Sequence, residues 1–175
     1  AYLIATGRAR PEEILALTFT EKAALEMEER VDILVPYGYT DFWICTFHAF
    51  GDRVLKENAL EIGISSDFQV LSVPEQIMFF REHLFEFPLS YYRPLGNPTR
   101  HIEAILTFIS RAKDEDITPE DYLRYVQKLE EKLKENQEDE ELEEKFLKER
   151  EIALTYKKYQ ELLAKEGKID FGDLI

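Results

Sequence analysis

The sequence has 175 residues, of which 45% belong to the apolar and aromatic set AVILMFWYC and 33% are charged; this suits one folded domain, or one domain with a smaller insertion, and excludes a disordered chain. Its 36 acidic and 22 basic side chains give a formal net charge of -14, which argues on its face against nucleic acid, because phosphate binding is driven by Lys and Arg releasing counterions. No apolar run approaches the roughly 18 to 20 residues a membrane-spanning helix needs, and the single Cys45 cannot form an internal disulfide, so a chain without a membrane anchor in the reducing cytoplasm is expected.

Ala1-Tyr2-Leu3-Ile4 reads as the last turn of a helix with no initiator Met before it. After Gly7 and the Pro11-Glu12-Glu13 lead-in, the apolar run Ile14 to Phe19 predicts a buried strand. Thr20 is then a good helix N-cap, and Ala23, Ala24, Met27 and Val31 recur at helical spacing down to a Pro36-Tyr37-Gly38 turn. The same order repeats at once: Phe42 to Phe47 reads as a second buried strand with Trp43 in its core, and Phe50, Val54 and Leu55 continue as a helix toward Gly63. Two wholly apolar runs, each followed by a helix, point to a parallel sheet covered on both faces. Ligands bind such sheets at the carboxyl ends of the strands, so both Thr-Phe corners are expected on that edge.

From about Pro74 the apolar residues recur only at helical spacing. Helices are predicted from Glu75 to Phe87, closed by Pro88; from His101 to Lys113; from Thr118-Pro119 onward, with Tyr122, Val126, Leu129 and Leu133 as a stripe; and along a last long pattern carrying Leu142 to Leu163 that ends at Gly167. A helix restarts at Asp170, and the Ile169 to Ile175 segment stops in mid-pattern, so both chain ends read as fragment boundaries. The expected fold class is α/β: a partial parallel-sheet lobe with an all-helical insertion, mostly α by residue count. The Glu-rich stretch from Asn136 to Glu144 is the only low-complexity segment.

The sequence lacks a Gly-x-x-x-x-Gly-Lys-Ser/Thr phosphate loop. It also lacks a zinc-ligand spacing, since His48, His83 and His101 are scattered around one Cys. What remains are the corners Thr18-Phe19-Thr20-Glu21-Lys22 and Thr46-Phe47-His48. Hydroxyls, helix-start N–H groups, a cation or imidazole and an aromatic ring on one sheet edge suit single-stranded nucleic acid, whose phosphates favour helix N-termini and whose bases stack on aromatic faces. By spacing alone the same residues also read as helix caps (Thr18, Thr20, Thr46) and core (the two Phe). Arg111 and Lys113 read as an exposed helix face.

The run Ile14 to Val31 closely resembles motif Ia of the UvrD/Rep/PcrA-type superfamily 1 DNA helicases, and Thr46-Phe47-His48-Ala49-Phe50 resembles the Thr-Phe-His motif that follows it there. Ile109-Ser110-Arg111-Ala112-Lys113-Asp114 and Ile117-Thr118-Pro119-Glu120 are similar to that family's helical subdomain 1B; Tyr156-Lys157-Lys158-Tyr159 and Ile169-Asp170-Phe171-Gly172-Asp173-Leu174 are similar to its Tyr-x-x-Tyr and Asp-Phe-Asp-Asp-Leu segment. The resemblance implies a P-loop-type lobe, with residues 1-73 as part of motor subdomain 1A, 74-150 as subdomain 1B, and 151-175 as the helix returning to 1A. It implies that Phe19, Thr20, Lys22, Thr46 and His48 contact single-stranded DNA near a duplex junction, in an ATP-dependent helicase of the kind used in DNA repair. Glu21 stands where the family commonly has Asn, and Gly172 where it has Asp. ATP and Mg belong to the parent protein, whose Walker A and Walker B motifs fall outside this chain, so no catalytic residue is assigned and the chain alone is expected to lack ATPase activity. Two other readings of the sequence are a piece of a helicase-nuclease recombination subunit and an acidic helical protein-interaction module.

Charge by region tempers the opening objection. Residues 114 to 151 hold 16 acidic and 7 basic side chains, a net of -9, leaving 20 and 15 elsewhere, a net of -5. Most of the excess sits in the helical insertion, which screening over about 8 Å isolates from a distant groove.

Overall fold

In the computed structural model, the structure describes residues 1–35, 42–59, 61, 67–136 and 139–174. The predicted Pro36-Tyr37-Gly38 turn, Gly63 and part of the Glu-rich stretch lie outside them. The fold is α/β and mostly helical, and it divides into two compact units: Ala1–Ser66 with Leu174–Ile175, and Asp67–Asp173.

The first unit opens with the short helix α1 (Tyr2–Ala5) and a 3-10 turn at Pro11–Glu13. Strand β1 (Leu15–Thr18) leads into helix α2 (Glu21–Leu34), and β2 (Trp43–Thr46) into α3 (Phe47–Asn58). The strands pair in parallel, Leu15 opposite Trp43 through Thr18 opposite Thr46. They are not the buried strands the apolar runs predict: Leu15 is 46% exposed, and the rest of β1 and most of β2 are half-buried. A two-stranded ribbon gives each strand only one neighbour, so apolar residues alone do not close it from water. Trp43 is likewise half-buried, with the Phe50 ring edge-on at 5.7 Å and the Arg53 guanidinium 4.0 Å from its ring centre.

The second unit contains β3 (Gln69–Leu71), α4 (Val73–Glu82), α5 (Ile102–Asp114), α6 (Pro119–Glu135), α7 (Glu140–Lys165) and β4 (Lys168–Asp170), followed by a 3-10 turn at Phe171–Leu174 whose last residue is counted with the first unit. Strands β3 and β4 pair in parallel, Leu71 opposite Asp170. Three residues are too few to show a period, so the sequence gives no sign of either strand, and the expected helical restart at Asp170 is displaced to the 3-10 turn after it. The remaining helix starts follow local chemistry. Ser72 N–H donates to Glu75 at 2.7 Å, Thr118 and Asp121 bond reciprocally with Pro119 at the first helical position, and Asp139 accepts from Leu142 N at 2.9 Å. Helix α7 ends before Gly167, whose φ of +64° is the left-handed conformation glycine adopts without a Cβ penalty.

Helix α4 stops at Glu82, short of the predicted Phe87. The apolar period overshoots because Leu84 and Phe87 are buried from turns, with the Phe87 ring stacked on Phe80 at 4.0 Å. Around them, Ile105 and Ile109 of α5, Val126 of α6 and Tyr156, Tyr159 and Leu163 of α7 complete the core.

Three buried tyrosines make this unit sensitive to alkali. Burial pushes the phenols of Tyr122 and Tyr159 up, with the Glu149 and Asp170 carboxylates adding to it, and pushes Tyr156 from 10.0 to about 12, where Asp173 and Asp170 add to the effect. The folded chain therefore keeps protons that the unfolded chain releases near pH 10, and stability falls as pH rises above that point. The slope reaches up to about 1.4 kcal/mol per pH unit per tyrosine. Urea midpoints of this transition should be flat between about pH 8 and 9.5 and fall steeply beyond; a flat profile to pH 11.5 would contradict it.

Candidate nucleic-acid interface

The first unit brings the two Thr-Phe corners together. Parallel pairing places Thr18 opposite Thr46, so β1 and β2 end side by side on one edge. Each strand hands the chain to a helix start: Thr20 caps α2 by accepting from Ala23 N at 3.2 Å, and Thr46 caps α3 by accepting from Ala49 N at 3.2 Å. Both hydroxyls are thus used locally, as the capping reading expects; Thr18, the third residue so read, is instead the last residue of β1, and the cap of α2 is Thr20. Thr20 is exposed and Thr46 is buried, 4% accessible.

The aromatic residues do not follow the core reading. Phe19 is 83% exposed and Phe47, the first residue of α3, is 52% exposed. A Phe ring left in water at the mouth of two helix starts is available for stacking. Phe47 was not singled out in the sequence as a contact; the signal was present in the repeat of Thr-Phe, since whatever exposes the first ring at a strand end applies to the second. Lys22, the second residue of α2, is exposed and makes no ion pair among the described residues. His48 is half-buried at the second position of α3. The five predicted residues therefore lie at two adjoining corners: two as caps, one as an exposed ring, one as an exposed cation and one, His48, as a half-buried imidazole.

A link between the corners was not legible beforehand. The Thr46 hydroxyl donates to Glu21 Oε1 at 3.1 Å, across 25 residues of sequence. Beneath the edge, Cys45 is half-buried and burial pushes its thiol up, so it is an inert packing residue.

In the second unit, Lys113 overturns the exposed-face expectation. Its side chain is 5% exposed and its ammonium bonds Asp170 and Asp173, both at 2.7 Å. Asp170 also accepts from Gly172 N and Asp173 N at 3.0 and 3.2 Å, and Gln160 donates to Asp173 at 2.9 Å. Burial pushes the Asp170 carboxyl up against the opposing pull of Lys113. Gly172 is spatially required here: a Cβ would lie 2.6 Å from Lys113 Cδ and 3.1 Å from its Cβ. Arg111 is exposed, as expected.

Among the described residues, no group of three or more His, Cys, Asp or Glu is placed to hold a metal ion, and no helix is long and apolar enough to cross a membrane.

A family model for the UvrD/REP helicase N-terminal domain matches residues 1–175. The whole chain is 34% identical to the ATP-dependent DNA helicase PcrA of Bacillus subtilis (strain 168), covering 20% of that protein. It is 31% identical to PcrA of Staphylococcus epidermidis, covering 21% of it, and 25% identical to DNA helicase II of Escherichia coli (strain K12), again covering 21%. The chain thus spans about a fifth of the length of the curated relatives it matches.

Proposed function

Because this chain belongs to the UvrD/REP helicase N-terminal domain family, we propose that it is the strand-gripping part of an ATP-dependent DNA helicase that moves along single-stranded DNA. The observation that carries this reading is the shared edge of β1 and β2, where two capped helix starts and two exposed Phe rings lie together. Bases stack on Phe19 and Phe47, Lys22 meets a phosphate, and the N–H groups at the starts of α2 and α3 attract the backbone. Thr20 and Thr46 act through the helix starts they hold, and His48 flanks the same path. In this reading residues 1-73 and 151-175 belong to motor subdomain 1A and residues 74-150 to the helical subdomain 1B, near the duplex junction.

ATP, taken with its Mg ion, is the energy source of the parent protein. The chain has no Gly-Lys-Ser/Thr phosphate loop, and its described residues offer no three-ligand group for the ion, so no step of phosphoryl transfer is assigned to it. The single cysteine suits a cytoplasmic setting.

Anisotropy titration of labelled single-stranded DNA against the full-length protein tests the reading. Phe19→Ala should weaken binding by about tenfold, within the roughly 1 to 3 kcal/mol of a base stack. Lys22→Ala should also weaken it and reduce the slope of log affinity against log salt by about 0.7. Unchanged affinity in both variants would refute this path for the strand.

A further inference from the structure

Glu21 is the first residue of α2, next to the Thr20 cap, and its side chain reaches the start of the other helix. The hydroxyl of Thr46 has one proton, and that proton goes to Glu21 Oε1; the Thr46 Oγ1 itself accepts from Ala49 N. Three consequences follow from this bond. The starts of α2 and α3 are tied to each other, which fixes the distance between Phe19 and Phe47. Thr46 has no proton left to donate to a phosphate. A carboxylate also sits at a helix N-terminus, where the dipole favours negative charge, and it takes up part of the attraction that the helix start would otherwise offer to a phosphate.

We propose that Glu21 is a positioning residue that ties the two corners together and weakens the phosphate contact between them, so that the strand is held there mainly by stacking on Phe19 and Phe47. This rests on the reading of the edge as a single-strand path. The strength of a grip that leans on bases at this point varies less with salt than that of one that leans on charge.

The test uses the full-length protein with Glu21→Gln, which keeps an accepting oxygen and removes the charge, and Glu21→Ala, which removes both. Glu21→Gln should bind single-stranded DNA about fivefold more tightly, the effect of removing one unit charge from about 4 Å in water. Its salt slope should be steeper by up to about 0.7, with an unfolding midpoint lowered less than that of Glu21→Ala. Glu21→Ala should lower the unfolding midpoint more in the wild-type background than in a Thr46→Val background, where the bond is already absent and only the carboxylate's interaction with the α2 N-terminus is lost. If wild type binds saturably and Glu21→Gln matches it in affinity and salt slope, the inference is wrong and the functional reading stands. If wild type shows no saturable binding, the functional reading falls, and with it the role of Glu21 in holding the strand. Additive midpoint losses for Glu21→Ala and Thr46→Val would overturn the tie between the corners independently of DNA.

Discussion

Replacing Lys113 with Met is expected to destabilise the helical unit by about 3 to 5 kcal/mol, the range for removing one partner of a buried ion pair. The substitution keeps most of the aliphatic volume and removes the ammonium that bonds Asp170 and Asp173 at 2.7 Å each. Two carboxylates then face each other with no cation, one of them 7% exposed and the other 21%. Against a total stability of about 5 to 15 kcal/mol, this is a large fraction. The pH dependence identifies the cause. In the variant, Asp170 loses the attraction that opposes its burial, so its folded pKa rises further above the unfolded value. The folded state then binds more protons than the unfolded one, and stability increases as pH falls through the folded pKa. Denaturant midpoints of Lys113→Met should accordingly improve as pH falls from neutrality toward the unfolded aspartate pKa of about 4. Adding Asp170→Asn and Asp173→Asn should recover much of the loss, since Asn at 170 still offers an oxygen to Gly172 N and Asp173 N. A variant as stable as wild type at pH 7, or one with no pH response, would rule out this account.

The second large effect belongs to Glu151, whose carboxylate on α7 closes a turn 60 residues away. Its oxygens accept from the backbone N–H of Ser90, of Tyr91 at 3.1 Å and of Tyr92 at 3.2 Å, while the side chain is packed to 9% exposure. Bonds to a charged acceptor contribute about 1.5 to 3 kcal/mol each, but Ser90 and Tyr91 are exposed and water replaces part of what is lost. Glu151→Ala should therefore cost about 2 to 3 kcal/mol in total. Glu151→Gln should cost less, because its remaining oxygen serves Ser90 and Tyr92 while its NH₂ opposes the N–H of Tyr91. Amide hydrogen exchange at residues 90–92 should accelerate far more than at Ile105 or Ile109 in the Gln variant. Exchange that rises equally everywhere would mean that Glu151 stabilises the unit globally and does not specifically hold this turn.

Much of the architecture was legible because it is local. The Thr20, Thr46 and Thr118 caps each bond a backbone N–H three residues ahead, so sequence spacing alone places those helix starts, whereas the Asp139 cap of α7 lay hidden in the Glu-rich stretch. The Gly167 stop follows from the conformation only glycine takes cheaply. The two Thr-Phe corners also came together as the repeated strand-helix order requires, since parallel strands put both carboxyl ends on one edge. Hydrophobic period misled in two places. It carried α4 past Glu82, because burial of Leu84 and Phe87 needs only the right height above the core, not a helix. It also buried Trp43 and the strands, because apolar residues report a tendency to leave water and not the number of neighbours at hand.

By itself the sequence determined the α/β class, the starts of α2, α3 and α6, the order of motifs that marks the family, and the concentration of acidic charge in residues 114 to 151. Tertiary structure alone decided that Phe19 and Phe47 stand in water, that Lys113 is buried between two aspartates, that Gly172 makes room for it, and that Glu21 reaches Thr46. The physical reason is separation along the chain. A cap closes within one turn of backbone and is fixed by the residues that make it, whereas bonds spanning 25, 57 or 60 residues depend on where packing brings whole elements to rest.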